Sequence, residues 1–384
     1  MIREHQHFFL AGEELPRLVE AVAAHGYRIA AHKLVDGNPV LSRIADAGDM
    51  PRGLVDARGP GTYEVRHAGG GAWFGITLGQ DSWKRVLLPP DEELLAFSRQ
   101  GKGFAVEPRS GQPGAPWAFV GMRPCDVAAL ARLDQVLLGG PYPDASYARR
   151  RPGLLVVAVE CSAPGGTCFC AAAGAGPGLD DGYDLALNEV EGEGRHFFTV
   201  RPGSSRGREI IAGLDLGAAS VEQAGLAREA VESARIAMAA KPGIAGLAPV
   251  LSAAHDHPHW QEVALRCLAC GNCTMVCPTC FCHDLADSET LDGLHASRRR
   301  RWSSCFMEEF SYIHGGCIRS SVAARYRQWC SHKLAHWVKQ FGVLGCVGCG
   351  RCVSFCPVGI DIAEEANAIA NNPNLPGSNV GGTK

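Results

Sequence analysis

The sequence predicts an α+β protein: an N-terminal α/β domain with a parallel βαβ unit, residues 1–245, then a mainly helical C-terminal domain, residues 246–384. Three observations carry this. Between residues 117 and 159 the order is apolar strand, amphipathic helix, apolar strand, which suits a parallel crossover. Helical apolar spacing dominates the second half, at 257–267, 320–342 and 360–372. The 17 cysteines divide the chain as well: none precedes Cys125, four lie from Cys125 to Cys170, and thirteen lie from Cys267 to Cys356.

The elements follow in order. Residues 13–26 form a helix ending on Gly26, and 27–35 and 62–67 read as strands. WAFVGM (117–122) is a strand. The helix after it, 126–138, carries Val127, Leu130, Leu133 and Leu137 on one face. LLVVAV (154–159) is a buried strand and HFFTV (196–200) another. A helix at 221–240 acts as a linker, and KPGIAGLAP breaks it. The tail from residue 372 to 384 reads as frayed.

With 384 residues the chain is long enough for two or three cores. Apolar residues are 46% and charged residues 20%, which excludes a disordered tail. A net charge of −3 argues against a broadly basic nucleic-acid binder. The N-terminal stretch has no apolar h-region, and no run reaches the ~18 apolar residues of a membrane span, so a cytoplasmic protein is expected. In a reducing compartment an odd, large set of thiols points to metal rather than disulfides.

Two runs carry the chemistry. Cys267, Cys270, Cys273 and Cys277 precede Pro278, and Cys346, Cys349, Cys352 and Cys356 precede Pro357. Both match C-x2-C-x2-C-x3-C-P, the bacterial-ferredoxin iron–sulfur spacing. Three thiolates two residues apart wrap one corner of a cubane. Gly271, Gly348 and Gly350 let the backbone come close and its N–H groups donate to sulfur. Because the fourth cysteine of such a run serves the other cluster, one 4Fe-4S cluster is assigned to Cys267, Cys270, Cys273 and Cys356. The other takes Cys346, Cys349, Cys352 and Cys277. Paired zinc sites are the plainer alternative, which two complete four-cysteine runs ending in proline disfavour.

A third set has no standard spacing. Cys125 opens a helix just past strand 117–122, where the helix N-terminus favours its thiolate, and Cys161 follows strand 154–159. Parallel strands would put both at one sheet edge, with Cys168 and Cys170 in the Gly-rich loop beside them. This set is read as a third 4Fe-4S site, against zinc or inert buried thiols. Cys280, Cys282, Cys305, Cys317 and Cys330 are read as packing residues rather than a further metal site. The Arg298–Arg301 run is read as a salt-bridged face rather than a docking patch. Trp302, Tyr312, Tyr326, Trp329, Trp337 and Phe341 crowd the insert between the motifs and are read either as simple core or as packing that excludes water from the clusters. His314, His332 and His336 are read as structural. GAGPG (174–178) lacks the G-x-G-x-x-G spacing of a dinucleotide loop.

RCLACGNCTMVCPTCFC, SYIHGGCIRSSVAARYRQWCSHKLAHW, GCVGCGRCVSFCPVGIDI, GMRPCDVAAL and CFCAAAGAGPGLDDGYDLAL resemble the β subunit of soluble cytoplasmic nickel–iron hydrogenases (sulfhydrogenases), a family that includes the electron-transfer subunit of anaerobic sulfite reductase. The resemblance spans residues 115 to 365; Cys317 and Cys330 depart from its pattern. It implies a non-catalytic electron-transfer subunit. Such a chain relays electrons between the nickel–iron hydrogenase large and small subunits and a flavin/NAD(P)-binding subunit. The alternatives are the electron-transfer subunit of a sulfite or sulfur reductase and, in another class, a cluster-based redox sensor.

Overall fold

A computed structural model describes residues 6–108 and 114–372. Strands β1 (Phe8–Ala11), β2 (Arg28–Val35) and β3 (Asn38–Arg43) come first. Two hairpins follow, β4 (Leu54–Gly59) with β5 (Thr62–His67) and β6 (Asp91–Gln100) with β7 (Gly103–Pro108). Next come β8 (Trp117–Met122), β9 (Leu155–Val159), β10 (Leu185–Gly192) and β11 (Arg195–Pro202). The central sheet has the order β1-β11-β10-β9-β8-β2-β3. Its inner strands β2, β8, β9 and β10 are mutually parallel, and β1, β11 and β3 add antiparallel edges. The βαβ unit is β8, helix Pro124–Leu137 and β9, and β8 pairs with β9 in parallel.

Both faces of β9 are buried, which explains its unbroken apolar run. Leu155, Val157 and Val159 pack against Leu15, Leu18, Val19 and Val22 of helix Leu15–Ala24. Val156 and Ala158 face Val127, Leu130, Leu133 and Leu137 of the crossover helix, the stripe read from the sequence.

The second half is not helical throughout. A hairpin of β12 (His283–Glu289) and β13 (His295–Trp302) leaves it and joins the first half in a sheet of order β12-β13-β6-β7. These strands carry charge on both faces, so their sequences show no apolar alternation. Arg298–Arg301 lie on β13. Arg298 bonds Asp287 at 2.7 Å, Arg299 bonds Asp91 at 2.9 Å, Arg301 bonds Asp91 at 3.2 Å, and buried Arg300 bonds Glu92 at 2.7 Å. Each arginine of the run is thus matched by a carboxylate of this chain, as expected of a salt-bridged face.

The long helix expected over 320–342 is Val322–Ser331, a wider π-turn His332–His336, and Trp337–Phe341, ended by Gly342 in the left-handed region. One apolar core takes residues from both sides of position 245: Leu78, Cys125, Phe169 and Met238 pack with Trp260, Tyr326, Trp329 and Val347. From residue 373 on, the tail lies outside the described residues. Among the described residues no helix is long and apolar enough to cross a membrane.

Candidate metal centres

The two four-cysteine loops fold alike because their backbones bend at matching places. Ala269 and Gly348, each before the second cysteine, have φ of 51° and 63°. Gly271 and Gly350, each after it, have φ of 73° and 76° and start one-turn helices Asn272–Met275 and Arg351–Ser354 that carry the third cysteine. These turns aim amides at sulfur. Ala269 N–H donates to Cys267 Sγ, Gly348 N–H to Cys346 Sγ and Ile360 N–H to Cys356 Sγ, each at 3.4 Å. Each such amide places a partial positive charge beside a ligand sulfur and favours its anionic form.

Cys267, Cys270, Cys273 and Cys356 line one cavity, the four assigned together from the crosswise rule. Phe306, Tyr326 and Trp329 wall it, and Cys352, assigned to the other cluster, lines it too. Of the aromatic residues expected near the clusters, Tyr326 and Trp329 therefore do line a site. Trp337 is buried against Phe341, and Tyr312 is exposed. Cys270 is exposed, so this first site is the one nearest the surface.

At the second site Cys346 and Cys349 are buried. Cys277 faces Cys346, Cys349 and Cys352 closely enough to act on their thiols electrostatically. Thr279 Oγ1 lies 3.3 Å from Cys277 Sγ and donates to the Gly345 carbonyl at 2.7 Å, tying the first loop to the second.

The third set converges as the parallel strands require. Cys125, Cys161, Cys168 and Cys170 line a single cavity with Thr77, Leu78, Arg123 and Met238, and all four are buried. Arg58 donates to Cys168 Sγ at 3.0 Å and to Thr77 Oγ1 at 2.8 Å, and pairs with Asp56 at 2.8 Å. The loop bearing Cys168 and Cys170 packs on the second motif. Phe169 N–H donates to the Gly348 carbonyl at 2.8 Å, and Thr167 Oγ1 lies 2.8 Å from Ser354 Oγ. The helix N-terminus does not by itself yield a thiolate at Cys125. Burial pushes that thiol well above its ordinary value, and Asp126 and Cys170 push the same way. Desolvation outweighs a helix dipole, so metal binding must displace the proton.

Sequence reasoning missed the groups that frame these sites. Arg58, Thr77 and Lys84 come from the N-terminal hundred residues, where no motif marks them. Arg351 of the second motif makes a bidentate pair with Asp126, beside Cys125, at 2.8 and 3.0 Å, and also donates to the Gly79 carbonyl at 3.2 Å. Both side chains are sealed from solvent.

Of the remaining cysteines, Cys330 is core packing and Cys317 donates to the Glu308 carbonyl at 3.0 Å. Cys282 and Cys305 meet at the base of the β12–β13 hairpin, where Ser303 N–H donates to the Cys282 carbonyl at 3.0 Å. Cys280 lies against Cys277. His332 sits between the rings of Phe281 and Trp337, and burial lowers it to about 4, as suits a structural histidine.

The thiols of the two four-cysteine loops fit iron–sulfur clusters better than zinc. Among the described residues no three His, Cys, Asp or Glu side chains close in on a point as a single ion requires. The first and third sets stand instead around cavities, and amides face sulfurs in both four-cysteine loops, which suits an anionic group that spreads four thiolates over four irons.

Residues 266–360 match the family model described as a 4Fe-4S dicluster domain. Over 287 residues the chain is 35% identical to sulfhydrogenase 2 subunit beta of Pyrococcus furiosus, an alignment covering 73% of this chain and 82% of that one. No solved structure matches. The match to the dicluster model falls on both four-cysteine loops, and the longer match takes in most of the chain around them; the chain belongs to the family of sulfhydrogenase β subunits, with a 4Fe-4S dicluster domain in its C-terminal half.

Proposed function

We propose that this chain holds three 4Fe-4S clusters and serves as the electron-transfer component of a cytoplasmic nickel–iron hydrogenase. It would relay electrons between the large and small catalytic subunits and a flavin/NAD(P)-linked subunit. The ligands would be Cys267, Cys270, Cys273 and Cys356 for the first cluster. Cys346, Cys349, Cys352 and Cys277 would hold the second, and Cys125, Cys161, Cys168 and Cys170 the third. The observation that carries the reading is that Cys267, Cys270, Cys273 and Cys356 line one cavity and Cys125, Cys161, Cys168 and Cys170 another, with the buried Cys346 and Cys349 in the core between the two halves.

Each bound cluster supplies a one-electron couple whose potential its surroundings set. The chain's own groups do the rest. The amides of Ala269, Gly348 and Ile360 donate to ligand sulfurs and stabilise the added charge. Phe306, Tyr326 and Trp329 keep water from the first site. The contact of Phe169 with Gly348 holds the third site against the second, so the two are neighbours on one path.

Iron and sulfide per chain, measured on anaerobically purified native protein, should come to about twelve of each. Cys125→Ser should remove about four irons and leave the ferredoxin pair. Unchanged iron in that variant would remove the third cluster from the proposal. Zinc without iron in the native protein would remove all three.

A further inference from the structure

Lys84 and Lys333 are both buried beside Cys277, one of the ligands assigned to the second site, each only 4% exposed. Lys333 Nζ donates to Thr279 Oγ1 at 2.8 Å, the hydroxyl that lies against Cys277 Sγ. Lys84 Nζ donates to the Cys280 carbonyl at 2.9 Å and sits 4.1 Å from the centre of the Trp302 ring. The titratable groups near Lys84 include the thiols of Cys280, Cys277 and Cys282 and the ammonium of Lys333; those near Lys333 include the thiols of Cys277, Cys280 and Cys346. None of these partners, among the described residues, is a carboxylate.

Burying one ammonium without a counter-charge is strongly unfavourable, and burying two that repel one another is worse. An anionic cluster held by the neighbouring cysteines would supply that counter-charge. The π-turn His332–His336 begins one residue before Lys333, so the long helix leaves its regular course where this side chain turns inward. The first site is built differently, with an exposed ligand in Cys270.

We propose that Lys84 and Lys333 are the charge partners of the second cluster and hold its reduction potential above that of the first, making it the resting place of an electron entering the pair. This rests on the assignment of a cluster to Cys277, Cys346, Cys349 and Cys352. Reduction adds a negative charge beside two fixed positive ones, so removing either ammonium makes reduction harder. Both are positioning residues: they act through the cluster and bind no substrate.

The test is a redox titration followed by electron paramagnetic resonance, on the full chain purified anaerobically with its companion subunits. Lys333→Met and Lys84→Met should each shift the reduction equilibrium of the same cluster at least tenfold, which is about 59 mV for a one-electron couple. The other midpoints and the iron content should hold. Lys333→Arg should stay near the native midpoint, and so should Lys339→Met, an exposed lysine further along the helix. Full iron with unmoved midpoints in both methionine variants would overturn the proposal. So would loss of about four irons from both, since the lysines would then hold the cluster rather than tune it. Native protein lacking iron would overturn the cluster assignment itself.

Discussion

Asp126→Leu is expected to destabilise the protein by about 3–5 kcal/mol, the cost of leaving a buried charge without its partner. Arg351 would keep its guanidinium sealed from water, with one bond to the Gly79 carbonyl in place of three. It would also face Arg58, whose charge already opposes its own. The pair joins the helix Pro124–Leu137, which carries Cys125, to the one-turn helix that carries Cys352. Its loss should therefore loosen the third site against the second. Anaerobic denaturant unfolding, followed by loss of the iron–sulfur absorbance, should show a lower midpoint and earlier release of iron. The double variant Asp126→Leu with Arg351→Met removes both charges and should recover much of the loss, because an apolar pair of similar volume does not carry the desolvation penalty. If the double variant is no better than Asp126→Leu alone, the ion pair is not what holds these elements together.

What the sequence revealed and what it hid divide along the distance between interacting residues. The eight cysteines of the two runs were legible because iron–sulfur ligation imposes a local spacing, and the loops then repeat the same backbone turns. The crossover helix was legible through Val127, Leu130, Leu133 and Leu137, since its stripe meets the inner face of β9. The third set was legible only by topology. Nothing in its spacing names a cluster, but parallel strands end at one edge and bring Cys125 and Cys161 together. Arg351 and Asp126 are 225 residues apart, and Arg58 and Cys168 are 110 apart. No local pattern announces such contacts. The β12–β13 hairpin escaped for another reason: β12 is almost wholly exposed and the buried position of β13 is the charged Arg300, so neither strand has an apolar period to read.

The same distinction decides the outcome of a substitution at equivalent glycines of the two loops. Gly350 and Gly271 occupy one motif position and share a left-handed backbone, so alanine costs about 1–2 kcal/mol at either from conformation alone. Their surroundings differ. A Cβ on Gly350 would stand 2.3 Å from the Thr167 carbonyl oxygen and 2.6 Å from its carbon, backbone atoms that cannot turn away. On Gly271 the nearest atom is Ser304 Oγ at 3.0 Å, the end of a side chain that rotates. Gly350→Ala is therefore expected to push the loop bearing Cys168 and Cys170 off the second motif. Iron should fall to about four per chain as the second and third sites fail together. Gly271→Ala should keep nearly all its iron and lose only a few degrees of thermal stability. Ala269→Gly, which relaxes a strained alanine, should lose none. Iron analysis of the three variants beside the native protein separates packing from conformation. Equal loss from Gly350→Ala and Gly271→Ala would mean that the left-handed turn alone matters, and that the third site does not lean on the second.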